Sequence, residues 1–119
     1  MRGWSRSRWR WIYVAVATGV LLLSVAPLGT PSGPRWLPAP PDKLAHFALH
    51  AALGALATAG WGPVVGIASG LWLGSCFELA QIFAPGRNFS LGDMAANFLG
   101  AVCGVVIAWR VFRRGRARR

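Results

Sequence analysis

The hydrophobic residues of this chain come in long runs and not in periodic stripes. Four runs cover residues 11–28, 44–60, 64–84 and 94–112, and each holds few charged residues. Runs of about 17 to 21 residues match the length at which an α-helix crosses about 30 Å of hydrocarbon. We therefore predict an all-α, polytopic membrane protein built as a bundle of four transmembrane helices.

The connections between the runs differ in length and in composition. The stretch 27–41 contains six of the eight prolines, so it cannot continue a helix and is predicted to be a stiff, extended loop. This stretch ends at Pro41, and Asp42 is predicted to be the N-cap of the second helix. The turn at 60–63 is short, which makes the second and third helices antiparallel neighbours.

The net charge of +10 is concentrated at the two termini. Ten of the thirteen cationic residues precede the first run or end or follow the last run. By the positive-inside rule, both termini are predicted to be cytoplasmic and the loops 28–43 and 85–92 to face outward. This gives a cytoplasmic tail at 1–10, a membrane domain at 11–112 and a second tail at 113–119. We predict that the tails contact anionic membrane lipids and no nucleic acid, and that the protein is a multi-pass protein of the cell membrane.

The first run also resembles a secretory signal, because Ser24, Val25 and Ala26 precede Pro27. The run is long for a signal peptide, so an uncleaved membrane anchor is favoured; cleavage would leave three spans. The two cysteines, Cys76 and Cys103, have neither metal-ligand spacing nor an aqueous position suited to a disulfide. They are predicted to pack against neighbouring helices.

Glycine spacing indicates which helix faces meet, because close backbone approach drives helix association in lipid. Gly66, Gly70 and Gly74 repeat at every fourth residue, and the next residue on that row is Glu78. Similar rows join Gly104 and Gly100 to Asn97 and Asp93 on the fourth helix, and Gly54 to His50 and His46 on the second. Polar groups therefore lie on faces that contact other helices, and a glycine row left facing lipid would allow oligomerisation.

Acidic residues are rare and are placed at the ends of the runs. Asp42, Glu78 and Asp93 are the only three, and an ionisable group at the edge of a membrane span marks a site or an internal pairing. With the predicted topology, polar residues from three helices converge on the outer side. The predicted ligand-binding residues are Asp42, Lys43, His46, Glu78, Gln81, Arg87, Asp93 and Asn97.

Their order and spacing resemble a family signature. The motifs are Asp42-Lys43-x-x-His46, Glu78-x-x-Gln81, Pro85-Gly86-Arg87 and Asp93-x-x-x-Asn97 followed by Gly100. The pattern is similar to that of VanZ-like membrane proteins and covers about residues 42–107. The family is named for a protein that contributes to resistance to glycopeptide antibiotics such as teicoplanin. The resemblance implies a role in the cell envelope and does not imply a reaction.

The leading hypothesis from these residues is a pocket for the anionic headgroup of a lipid or lipid-linked envelope precursor. Helix N-termini, Lys43 and Arg87 would attract the anion, while Glu78 would orient Arg87. His46 and Asn97 would donate hydrogen bonds to the ligand. Asp42 and Asp93 would fix the start of their helices, or serve only as capping residues.

Two other functions remain open from the sequence. The polar residues could form a salt-bridge network that holds together a structural or partner-binding subunit, with Gln81 and Asn97 as interhelical hydrogen-bonding residues. Alternatively, Glu78 and His46 could perform acid–base catalysis in a membrane enzyme, although no nucleophile is evident. His46 and His50 lie one turn apart and could bind a metal with Glu78 or Asp93, but this spacing alone is a weak motif, so no metal and no cofactor are predicted.

Overall fold

A computed structural model describes residues 5–26, 41–84 and 89–117, and this part of the chain is all helical. The helices are α1 (Arg6–Val25), α2 (Pro41–Trp61), α3 (Pro63–Gln81) and α4 (Leu91–Ala117). All four are long and apolar enough to cross a membrane. The predicted helical membrane bundle is confirmed at this level. The proline-rich loop and Arg87 lie outside the described residues.

The first and last helices extend beyond their hydrophobic runs into the arginine-rich tails. α1 begins five residues before its run, and α4 continues five residues beyond its run, so both include arginines of the predicted tails. Arginine is a good helix former, and its long side chain can reach water from a helix end, so loss of hydrophobicity does not end a helix. α3 instead ends at Gln81, where Ile82, Phe83 and Ala84 form turns.

The sequence predicted Asp42 as the N-cap of α2, and this prediction is wrong. α2 begins at Pro41, which places Asp42 inside the first turn. Proline is favoured at the first helical position because its amide lacks the hydrogen that would otherwise be unpaired and its φ angle is already helical. An acidic side chain one residue later still interacts favourably with the positive end of the helix dipole.

α2 and α4 run parallel and approach each other closely along their lengths. A Cβ atom on Gly100 would collide with the carbonyl oxygen of Phe47, and one on Gly104 with that of Ala51. From the other side, Gly54 contacts the backbone of Ala101. These glycines therefore contact neighbouring helices of the same chain. Whether a glycine row also mediates oligomerisation stays a prediction.

α3 runs antiparallel to both helices and uses its own glycine row. Gly70 contacts the side chain of Ala101, and Gly74 lies against Asn97, whose Cβ would be 3.1 Å from an added Cβ atom. α2 and α3 are joined by a tight turn at Gly62, whose φ of 110° favours glycine. The three helices thus form the closely packed part of the bundle.

α1 packs on the outside of this trio and is the least enclosed helix, with 11% of its span buried. Its N-terminal end is fixed to the end of α2, because Arg10 Nε donates to the Gly60 carbonyl at 3.0 Å. The Arg10 guanidinium also lies over the Trp61 ring, 5.3 Å from its centre. The N-terminus of α1 and the C-terminus of α4 therefore lie at the same end of the bundle; their cytoplasmic orientation stays a prediction.

Candidate functional site

Five polar side chains from three helices meet at the end of the bundle where α2 and α4 begin and α3 ends. We call this group the polar cluster. α2 supplies two residues, α3 one and α4 two, and the members are Lys43, His46, Glu78, Asp93 and Asn97. The predicted convergence of polar groups from three helices is thus present in the structure.

Lys43 and Asp93 form the shortest ion pair of the described residues. Lys43 Nζ donates to Asp93 Oδ1 at 2.6 Å, which joins the first turns of α2 and α4. The lysine side chain is 36% exposed and the aspartate 10%, so the ammonium group reaches the surface while the carboxylate is covered. Gly92 leaves room for this contact, because a Cβ atom there would lie 3.0 Å from Nζ.

His46 and Asn97 join the same two helices one layer deeper. His46 Nδ1 donates to Asn97 Oδ1 at 2.8 Å when the imidazole carries its proton on Nδ1. Asn97 is 1% exposed, and Gly74 gives its side chain space. Within the described part of the chain, Asn97 Nδ2 has no hydrogen-bond partner.

Glu78 is completely buried at the centre of the polar cluster. Its Oε2 accepts a hydrogen bond from the backbone amide of Ser90 at 3.1 Å. Its Oε1 lies 3.9 Å from His46 Nδ1, too far for a hydrogen bond, and has no hydrogen-bond partner among the described residues. A buried carboxylate of this kind is costly unless a cation or a proton balances its charge.

The start of α4 explains how Glu78 comes to bind a backbone amide. Ser90 caps this helix, since its hydroxyl accepts from the Asp93 amide at 3.2 Å. In a complete capping box, the side chain three residues later would accept from the Ser90 amide. Here Glu78 of α3 accepts that bond instead, and Asp93 pairs with Lys43. Because Glu78 accepts the hydrogen bond from the Ser90 amide, the Asp93 carboxylate is available to pair with Lys43.

A cleft of about 190 Å³ opens beside the polar cluster between α1, α2 and α3. His46 lies in its wall and thus belongs to both features, and Asp42 and Gln81 add polar groups. His50 lies deeper, where Nδ1 donates to the His46 carbonyl at 3.0 Å and the ring packs edge-on against Phe77. The remaining walls are mostly apolar: Val20, Leu23, Ser24, Ala45, Leu49 and Phe77.

Comparison with known proteins identifies the family. The VanZ/LLP1 family model matches residues 9–113 of the 119. The chain belongs to the VanZ/LLP1 family. No curated protein and no solved structure matches it. The family match, together with the four candidate spans, supports a multi-pass membrane protein, as the sequence predicted.

The eight predicted site residues of this VanZ/LLP1 protein fall into three groups. Five form the polar cluster, and Asp42 and Gln81 lie in the cleft wall beside it. Arg87 lies outside the described residues, so its predicted contact with Glu78 stays a prediction. Lys43, the other permanently charged cation among the eight, pairs with Asp93.

Sequence reasoning missed three contributors to the site. The Ser90 amide binds Glu78, while the Ser90 side chain caps α4. Gly92 provides space for Lys43, and α1 supplies one wall of the cleft. Capping patterns do signal Ser90, but nothing in the apolar sequence of α1 distinguishes a cleft wall from a lipid-facing surface.

The chemistry available to this VanZ/LLP1 site is ionic and acid–base. Lys43 offers an exposed ammonium group, whereas His46, Glu78 and Asp93 offer a nitrogen and two carboxylates. One ligand atom from each of these three residues lies within 4.8 Å of the others, close enough to suit a metal ion. A proton could also pass between Glu78 and His46 after a small movement, because their nearest atoms are 3.9 Å apart.

Proposed function

We propose that this VanZ/LLP1 protein binds the anionic headgroup of a lipid or lipid-linked envelope precursor at the polar cluster. The observation that carries the proposal is the cleft beside it, which has polar groups at one end and apolar walls along α1 and α2. This arrangement suits an amphipathic ligand. Its headgroup would lie near Lys43 and His46, and its acyl or isoprenoid chain would lie along Leu49 and Val20.

The charges at this end of the bundle support a site for an anion. α2 and α4 both begin here, and helix N-termini present unpaired amides and partial positive charge. Lys43 is the one fully charged cation of the described polar cluster, and Asp93 holds it when no ligand is present. An entering phosphate would share Lys43 with Asp93. Arg87, a residue of the family motif that lies outside the described residues, would add a second cation.

The proposal can be tested by native mass spectrometry of protein extracted gently from its membrane, followed by titration with phosphatidylglycerol and undecaprenyl phosphate. We expect selective retention of these anionic lipids over phosphatidylcholine. Lys43→Gln should reduce this retention at least about tenfold, because a charge-assisted contact contributes roughly 1.5 kcal/mol or more. Arg114→Gln, which removes one positive charge at the other end of the bundle, is the matched control.

Two results would contradict headgroup binding. Equal retention of anionic and zwitterionic lipids would show that the site has no preference for an anion. An equal loss of retention in Lys43→Gln and Arg114→Gln would show that the lipids respond to total charge and not to the polar cluster. Both variants must first give the same yield of folded, monodisperse protein.

A structural role is the second candidate, and a specific observation favours it. Three contacts of the polar cluster join different helices: Lys43 to Asp93, His46 to Asn97, and Glu78 to the Ser90 amide. A charge-swap pair, Lys43→Asp with Asp93→Lys, separates the two roles. If each single variant loses folded protein and the double variant recovers it without recovering lipid retention, both roles operate. Recovery of lipid retention as well would favour the structural role alone.

A link to glycopeptide resistance belongs to the same proposal, since a ligand that carries envelope precursors would connect the site to the antibiotic's target. We expect expression of the protein in a susceptible host to raise the inhibitory concentration of teicoplanin. The effect should disappear with Lys43→Gln at equal membrane abundance. Unchanged resistance in that variant would separate resistance from headgroup binding.

A further inference from the structure

We propose that His46, Glu78 and Asp93 form a binding site for one divalent metal ion inside the polar cluster. The three residues come from three different helices, α2, α3 and α4. Their ligand atoms lie within 4.8 Å of one another. Around an ion with bonds of about 2.0 to 2.2 Å, ligand atoms lie roughly 3 to 3.5 Å apart, so side-chain movements of about 1 Å would complete the site.

The state of Glu78 is the independent observation that points to a ligand. Its side chain is 0% exposed, and its Oε1 faces His46 without a hydrogen-bond partner among the described residues. Oε2 is already fixed by the Ser90 amide. This contact orients the carboxylate, as outer contacts of metal ligands commonly do. A cation between Oε1 and His46 would balance the buried charge.

Asn97 can complete the set of ligands. Its Oδ1 lies 2.8 Å from His46 Nδ1, a hydrogen-bond distance slightly shorter than the separation of two ligands on one ion, so a small movement apart would let both atoms bind. With the imidazole proton on Nε2, both atoms carry lone pairs that can bind a cation. One imidazole nitrogen with carboxylate and amide oxygens suits Mn²⁺ or Zn²⁺.

Lys43 acts as a competitor for this site. Its ammonium group binds Asp93 Oδ1 at 2.6 Å and so supplies positive charge in place of a metal. Since the lysine side chain is 36% exposed, it can move toward water when an ion enters. The two acidic side chains of the polar cluster would then neutralise the divalent ion. Removing Lys43 should strengthen metal binding, which is opposite to its effect on an anionic lipid.

The sequence led to the expectation of no metal because the His46 and His50 pair, even with Glu78 or Asp93 as a further ligand, is a weak motif. The structure separates that pair: His50 Nδ1 donates to the His46 carbonyl, and its ring packs against Phe77. His46 instead meets carboxylates that lie 32 and 47 positions further along the chain. Helix packing, and not local spacing, creates the proposed site.

The test uses full-length protein in detergent micelles, with its affinity tag removed and its metals stripped by EDTA. Equilibrium dialysis against Mn²⁺ or Zn²⁺ alone, with metal measured by mass spectrometry, should show about one ion per chain. His46→Gln and Asp93→Asn should each weaken binding at least about tenfold. His50→Gln is the control, and it should bind like the wild type. Two substitutions on different helices keep the test decisive if one of them does not fold.

Binding without saturation in the wild type, or undiminished binding in both His46→Gln and Asp93→Asn, would overturn the metal site. Lys43→Gln distinguishes this inference from the proposed function. Tighter metal binding together with weaker retention of phosphatidylglycerol is the result expected if both are correct. Metal binding without lipid selectivity would support the metal site and reject headgroup binding, and the reverse result would reject only the metal site.

Discussion

The two sides of α2 differ in how closely other helices approach them. Toward α4, Gly100 and Gly104 bring the helix backbones together until no side chain fits between them. Toward α1, the cleft leaves about 190 Å³ open beside Ala45 and Leu49. One side of the same helix thus supplies close packing, while the other has space for a ligand. The polar cluster lies where the two sides meet. Its geometry can therefore depend on the packed side, while its polar groups can bind a ligand in the cleft.

The packed side should be the most sensitive to added volume. Gly104→Leu would place side-chain atoms against the Ala51 carbonyl, and backbone cannot move aside as a flexible side chain does. We expect a loss of about 3 kcal/mol or more in the free energy of unfolding, at the upper end for overpacking. The measurement is an SDS unfolding titration in micelles.

Gly19→Leu in α1 is the matched control, because no described atom of another helix lies within 4 Å of a Cβ built at Gly19. Its free energy of unfolding should remain within about 0.5 kcal/mol of the wild type, as for most surface substitutions. Similar losses in both variants would show that glycine flexibility, and not close helix approach, is what matters at Gly104.

The polar cluster, where the two sides meet, should lose less unfolding free energy than the packed side, and the loss should depend on the chemical group that is removed. Glu78→Ala removes the acceptor for the Ser90 amide, which should cost about 1 to 3 kcal/mol of unfolding free energy. Glu78→Gln keeps an oxygen that can accept the bond, so its cost should be smaller. Equal costs in the same SDS titration would indicate that the contact with Ser90 contributes little.

The open side should accept a large side chain without loss of folding. Ala45→Trp would occupy the cleft and should reduce lipid retention about tenfold, equivalent to about 1.4 kcal/mol, while the unfolding titration stays unchanged. Ala48→Trp, an exposed position on the same helix outside the cleft wall, is the control for native mass spectrometry. Equal retention in the two variants would argue that no lipid chain occupies the cleft.

The attachment of α1 should give the smallest effect. Arg10→Ala removes the hydrogen bond to Gly60 and the contact with the Trp61 ring, together worth about 1 kcal/mol at a partly exposed site. Hydrogen exchange at the end of α2 should become faster. Arg8→Ala, at an exposed arginine on the same turn of helix, should leave the exchange rate unchanged. Faster exchange in both would indicate a general effect of charge.

Hydrophobicity alone determined the four helices, because a backbone in lipid must satisfy its own hydrogen bonds and a run of apolar residues can do so only as a helix. Combined with the charge at the termini, these four runs placed α2 and α4 parallel and brought Lys43, His46, Glu78, Asp93 and Asn97 to one end. It misplaced the start of α2 at Asp42 and ended α4 too early, because helices continue through residues that suit water.

Only the tertiary structure determines which of these residues bind each other. Nothing in the spacing indicates that Lys43 binds Asp93 and leaves Glu78 to the Ser90 amide, because that choice depends on the rotation of three helices about their axes. Rotation is fixed by many small contacts at Gly54, Gly74 and Gly100, which act together. The cleft beside α1 likewise arises from imperfect packing between helices, and local sequence patterns carry no information about such space.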